Sequence, residues 1–272
     1  MTLAPNGPDA GALKVFERFA RALLEEAGAR ALEYFRRSPE VHDKAPAGAA
    51  LDPVTEADRA VEAHIRAGIR ARYPDHGLFG EEQADEPGRS ELAWTIDPID
   101  GTRGFMSGFV HWGVLLALCY RSQPILGLVH QPYIGETWAA SAHGACFYRS
   151  GSEIAIATRR CPELSVATLA TTDPYLFEGA EADAFASLRR QVRLTRYGAD
   201  CYAYCMLAMG QLDLVVESGL KPWDVQALIP IVTGAGGVIS DWRGGDCSGG
   251  GQVIAAGDIA LHRAALAYLE LT

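Results

Sequence analysis

Two aspartates stand three residues apart in Asp97-Pro98-Ile99-Asp100-Gly101-Thr102, directly after the strand-like run Trp94-Thr95-Ile96. Proline fixes its own φ and biases its predecessor toward extended backbone, so this turn holds both carboxylates with little freedom. Two acids held close repel unless a cation lies between them. Hard divalent ions such as Mg²⁺ take oxygen ligands, often including a backbone carbonyl. Gly101 lets the backbone approach a ligand, and Thr102 adds a hydroxyl. The same residues also fit an Asp-Pro turn that caps the segment after it.

Other acids end apolar runs. Glu81 follows Leu78-Phe79-Gly80, Glu217 follows Leu212 to Val216, and Asp224 opens a helix with Trp223. Strand ends and helix starts are where α/β folds gather ligands. Oxygen ligands without histidine or cysteine point to Mg²⁺ or Mn²⁺. Two such ions about 4 Å apart can polarise a phosphate and activate water. Asp58 belongs to Asp52-Pro53-Val54-Thr55-Glu56-Ala57-Asp58, where it equally suits the first turn of a helix capped by Thr55.

The elements that must position these residues follow from periodicity. Apolar residues recur at helical spacing from Ala12 to Arg37, and again from Thr55 until Pro74 stops the helix. Residues 38–52 read as a loop holding Lys44, a solvated lysine or a contact to the site. Residues 103–111 also read as a loop. Val114–Tyr120, Gln123–Gln131 and Glu136–Ala140 form an antiparallel meander, with hairpin turns at Gly144 and Gly151. Strands and helices then alternate: strands at 164–171, 192–197, 212–216, 236–240 and 249–256, and helices at 182–191, 201–209, 223–233 and 260–269. The expected fold is α/β (α+β). Residues 1–150 form an α+β half carrying most of the candidate metal ligands, and 151–272 an α/β half carrying the candidate substrate-binding residues and Asp224.

The chain has 272 residues, 49 % of them apolar, with a formal net charge of -10. That charge argues against nucleic acid and anionic membrane as partners. It allows a phosphorylated small molecule, because a bound metal reverses the local sign. Six scattered cysteines with no C-x-x-C pair, and no secretory or membrane-spanning segment, suggest free core thiols in a reducing cytoplasm. His111, His130 and His143 are not expected ligands, and Trp112, Trp138 and Trp242 suit packing.

Gly80-Glu81-Glu82, Trp94-x-x-Asp97-Pro98-Ile99-Asp100-Gly101-Thr102 and Trp223-Asp224 with Gly234-Ala235-Gly236-Gly237 together resemble the inositol monophosphatase superfamily of metal-dependent phosphatases. The resemblance covers roughly residues 12–270. It implies a layered α/β/α/β/α fold and two or three metal ions held by Glu81, Asp97, the carbonyl of Ile99, Asp100 and Asp224. It makes Thr102, hydrogen-bonded to Asp58, the group that orients the attacking water. The amides of Gly101 and Thr102 would hold the phosphate. A homodimer is also implied.

Within that family, Tyr197-Gly198-Ala199-Asp200-Cys201-Tyr202-Ala203-Tyr204 and Val215 to Asp224 look most like the histidinol-phosphate phosphatase branch. Ala199 departs from the usual glycine. Histidinol phosphate carries an ammonium and an imidazole, which Asp200 and Glu217 could partner. Asp200 could instead cap the helix after it, and Glu217 could be a strand-end surface acid. Thr171-Thr172 could touch substrate or cap the turn before Asp173-Pro174. Hydrolysis of inositol-1-phosphate or of small phosphomonoesters broadly is the alternative activity. An idle metal-binding protein is the alternative of another class.

Overall fold

The computed structural model describes residues 7–37, 41–43 and 53–270, so Lys44 lies outside the described residues. Helix α1 (Ala10–Tyr34) starts where the Asp9 carboxylate accepts from the Ala12 amide at 2.8 Å, and it buries Leu13, Ala20, Leu23, Leu24, Ala27 and Ala31. Two short antiparallel strands, β1 (Val41–Asp43) and β2 (Pro53–Thr55), precede α2 (Glu56–Arg72). Thr55 and Asp58 close a reciprocal capping box on α2.

A seven-stranded sheet follows, in spatial order β3 (Gly77–Gly80), β4 (Leu92–Asp100), β5 (Gly113–Tyr120), β6 (Gln123–Gln131), β7 (Glu136–Ser141), β8 (Gly144–Arg149) and β9 (Ser152–Ile156). Only β3 and β4 run parallel; the rest is the expected meander. Strand β4 runs past Pro98 to Asp100, with a register shift between Asp97 and Asp100. A bulge is where a sheet tolerates a proline, since no ladder N–H is required there. Residues Thr102–Met106 form a short helix, α3, rather than loop.

The second sheet has the order β11-β10-β12-β14-β13. Its chain order is β10 (Thr168–Thr171), α4 (Ala180–Arg189), β11 (Leu194–Tyr197), α5 (Asp200–Ala208), β12 (Leu214–Leu220), α6 (Pro222–Val225), α7 (Leu228–Gly234), β13 (Val238–Ser240), β14 (Gly251–Ala256) and α8 (Ile259–Leu269). The helix expected from Trp223 to Thr233 is thus two helices. Pro230 has no N–H to donate to the carbonyl of Gln226, so the turn between them cannot continue the ladder.

Side-chain alternation along the strands builds the layers. On β5, Val114, Leu116 and Leu118 pack with Leu24, Ile65 and Ile69 of α1 and α2. Leu115, Ala117 and Cys119 face the other way, toward Cys205 and Leu207 of α5 and Leu228 and Ile231 of α7. Val215 and Val253 of the small sheet close that second core, while Leu214, Val216 and Ile254 pack on Phe185, Leu188 and Leu261 of α4 and α8. The result is α/β/α/β/α. Each fully buried Leu or Ile contributes about 1.5–3 kcal/mol. Trp112, Trp138 and Trp242 are buried packing residues, and the six cysteines are free.

Candidate metal centre

The site lies at the C-terminal ends of β3 and β4, where α5 and α6 from the second half meet them. Because β3 and β4 are parallel with Gly80 opposite Ile96, Glu81 and Asp97 follow that pair side by side. One oxygen from each of Asp97, Asp100 and Asp224 lies within 4.8 Å of the others. Burial raises Asp97 well above the usual carboxylate range, and Glu81, Asp100, Asp224 and Asp58 raise it further. Asp100 is raised likewise by burial, then by Asp200 and Asp224. Six acids crowded so that ionising one raises the cost of ionising its neighbours need positive charge among them.

Local backbone chemistry holds each carboxylate. Asp97 Oδ1 accepts from the Ile99 amide at 3.1 Å, inside its own turn. Asp100 Oδ2 accepts from the Cys201 amide at 2.6 Å, and Asp224 Oδ2 from the Lys221 amide at 2.7 Å. Gly101 has φ +83°, and a Cβ there would lie 2.7 Å from the His111 carbonyl oxygen and 3.3 Å from Asp200 Cβ. Only glycine fits both the left-handed backbone and that approach.

The expected bond between Thr102 and Asp58 is absent. The Thr102 hydroxyl donates to the Ile99 carbonyl at 3.0 Å. Asp58 Oδ2 accepts from the Thr55 amide at 2.8 Å and from its hydroxyl at 2.5 Å. Asp58 closes the capping box of α2 and Thr102 turns back on the carbonyl three residues before it, so each is held by a local partner. Asp58 Oδ1 is nevertheless buried with no protein hydrogen-bond partner, and burial pushes this carboxyl up to about 6. An orphaned buried oxygen beside a cluster of acids suits a water or a cation.

Asp200 does not cap α5. It is the first helical residue, with φ +45° and its predecessor Ala199 at the cap, and the carboxylate serving the helix start is that of Asp100. Burial pushes Asp200 up to about 6, Asp224 adds to that, and Arg103 and Thr172 oppose it. Glu217 is not a surface acid. It is 2 % exposed, on the bulged end of β12, and accepts from the Thr172 amide at 2.7 Å and the Thr172 hydroxyl at 3.0 Å. Burial pushes it up to about 8. Thr171 and Thr172 therefore hold Glu217, while Asp173 itself caps the turn at Tyr175.

Two features have no counterpart in the sequence patterns. The Tyr204 hydroxyl is buried without a partner, close enough to Glu217, Asp100 and Asp224 to feel their charge. Thr95 donates to Gln226 at 2.6 Å, tying β4 to the segment that carries Asp224. Neither has a periodic signal, because each depends on contacts between distant segments.

The acids fit a hard divalent cation by ligand type and by crowding. Comparison with known proteins agrees. The inositol monophosphatase family profile matches residues 12–270, and the chain belongs to that family, whose members are metal-dependent phosphatases acting on small phosphorylated substrates. It is 40 % identical to the bifunctional phosphatase IMPL2 of Arabidopsis thaliana, over 93 % of this chain and 75 % of that one. It is 37 % identical to the histidinol-phosphatase of Chlorobaculum parvum, over 93 % of this chain and 95 % of that one. An inositol monophosphatase structure from Zymomonas mobilis superposes with a TM-score of 0.84 at 40 % identity, covering 96 % of this chain and 99 % of its own. No helix among the described residues is long and apolar enough to cross a membrane.

Proposed function

We propose that this phosphatase is a Mg²⁺-dependent histidinol-phosphatase, releasing L-histidinol and phosphate in histidine biosynthesis. The observation that carries this reading is a second pair of acids, the buried Glu217 and the half-buried Asp200, beside the first cluster. A polyol phosphate offers no positive charge to partner them. Histidinol phosphate offers an ammonium and an imidazole. A cation there would draw both carboxyls back to their charged forms and turn their burial from a cost into recognition.

Asp97, Asp100, Asp224, Glu81 and the Ile99 carbonyl would hold Mg²⁺, with Mn²⁺ as a substitute. The Ile99 carbonyl accepts from Thr102 and has a second lone pair to offer. Bound ions would supply charge for the phosphoryl oxygens and make water more acidic. Asp58, through its unpartnered oxygen, and Thr102 would orient the attacking water. The amides of Gly101 and Thr102 would bind the phosphate. Phosphoryl transfer asks for little more than this positioning and charge neutralisation.

The alternative is inositol-1-phosphate or broad phosphomonoester hydrolysis, favoured by the likeness to the Zymomonas mobilis enzyme. A homodimer in the cytoplasm is part of the proposal. The test is Mg²⁺-dependent phosphate release from histidinol phosphate, and its absence would refute the substrate assignment.

A further inference from the structure

Helix α2 carries Asp58, Glu62 and Arg66 on one face, spaced four residues apart. Glu62 and Arg66 are both 0 % exposed, and Arg66 Nε donates to Glu62 Oε1 at 2.7 Å. Glu62 also accepts from the backbone amides of Glu82 at 2.7 Å and Gln83 at 3.1 Å. Arg66 donates to the carbonyls of Gln83 and Ala84, each at 3.1 Å, and to Glu86. The pair thus grips the backbone of residues 82–84 through both its N–H and its C=O groups.

That segment is the turn directly after Glu81. Its base is already closed, because Leu78 and Glu86 exchange backbone bonds at 2.9 and 2.8 Å. Gly80 leaves the room: a Cβ there would lie 2.5 Å from Glu62 Oε1. A fully buried ion pair is a poor device for stability, since its desolvation cost rivals its attraction. Its hydrogen bonds are instead all aimed at one short segment.

We propose that Glu62 and Arg66 are positioning residues that fix the Glu81 turn beside Asp97 and so set the affinity of the site for its divalent cation. This rests on the reading of Glu81 as a metal ligand. Neither residue touches the reacting atoms; both act through the backbone of 82–84.

The test uses the whole chain with Glu62→Gln, Arg66→Lys and Glu81→Gln. Mn²⁺ binding is followed by electron paramagnetic resonance without substrate, and phosphate release by Mg²⁺ titration. Both positioning variants are expected to weaken Mn²⁺ binding about 10–100-fold, as loss of a ligand's supporting partner does. Excess Mg²⁺ should then restore turnover, and circular dichroism taken before its addition should show the variants already folded, which separates weakened binding from instability rescued by the cation. Unchanged Mn²⁺ affinity with only a lowered melting temperature would overturn the proposal. Unchanged affinity in Glu81→Gln would instead overturn the ligand reading, and this proposal with it. Should either buried substitution prevent folding, Gly80→Ala pushes the same turn off Glu62. It is expected to weaken Mn²⁺ binding in the same way, and unchanged affinity in that variant would again overturn the proposal.

Discussion

The Cys201 amide donates to Asp100 Oδ2 at 2.6 Å, across 101 positions of sequence. One carboxylate of the large sheet thereby starts the helix whose first residue is Asp200. The acid cluster and the acids proposed to read the substrate are mechanically one unit. A change in the first should be felt in the second.

Asp100→Asn keeps an oxygen able to accept from Cys201 but removes a charge from the cluster. Turnover is expected to fall at least about a hundredfold, roughly 2.7 kcal/mol of transition-state stabilisation. Circular dichroism should show the fold intact. Near-normal phosphate release would remove the cation-centre model.

Asp200→Ala should raise the Michaelis constant for histidinol phosphate far more than for inositol-1-phosphate. Losing one charge-assisted contact corresponds to about 1.5–3 kcal/mol, or about ten- to a hundredfold. Equal effects on both substrates would return Asp200 to a general structural role.

Gln226 accepts from the hydroxyl of Thr95 and donates to the Ser248 carbonyl at 3.0 Å. Gln226→Ala leaves the largely buried Thr95 hydroxyl without its acceptor, at about 1–3 kcal/mol. Because Asp224 lies two residues away, the Mg²⁺ requirement should rise as well. Urea denaturation and Mg²⁺ titration check the two effects separately. Unchanged stability would show that the tie to β4 is dispensable.

Stability without a cation should depend on pH with a definite sign. Asp58 is pushed up to about 6 and Glu217 to about 8, against 3.8 and 4.5 for the ordinary groups. These two carboxyls therefore hold more protons in the folded chain than in the unfolded one across that window, and their contribution to stability falls as pH rises from about 4 to about 8. That fall outweighs the opposite contribution of the His130 imidazole, which burial pushes down to about 4. Asp58 alone accounts for roughly 2–3 kcal/mol. With chelator, the melting temperature should drop between about pH 5 and about pH 8, and Mg²⁺ should restore more at the upper end. A flat or rising profile in chelator would contradict the crowding of these acids.

The layered fold is legible in the sequence because its strands are long apolar runs and its helices carry one apolar face. The meander from Gly113 to Ile156 and the capped start of α2 follow from those patterns. What the sequence conceals is non-local. Glu62 and Arg66, four residues apart, have the spacing of an ordinary exposed helix pair, yet they are buried against the Glu81 turn. Thr102 and Asp58 are expected to bond to each other, but Thr102 turns back to the Ile99 carbonyl and Asp58 closes its own helix start. Asp200 reads as a cap because it precedes a helix, and the actual cap comes from another sheet.

The most direct measurement is phosphate release from histidinol phosphate and inositol-1-phosphate side by side, with Mg²⁺ and with chelator. Release should require Mg²⁺ and should strongly prefer histidinol phosphate. A preference for inositol-1-phosphate would contradict the roles given to Asp200 and Glu217, and release undiminished by chelator would contradict the metal centre itself.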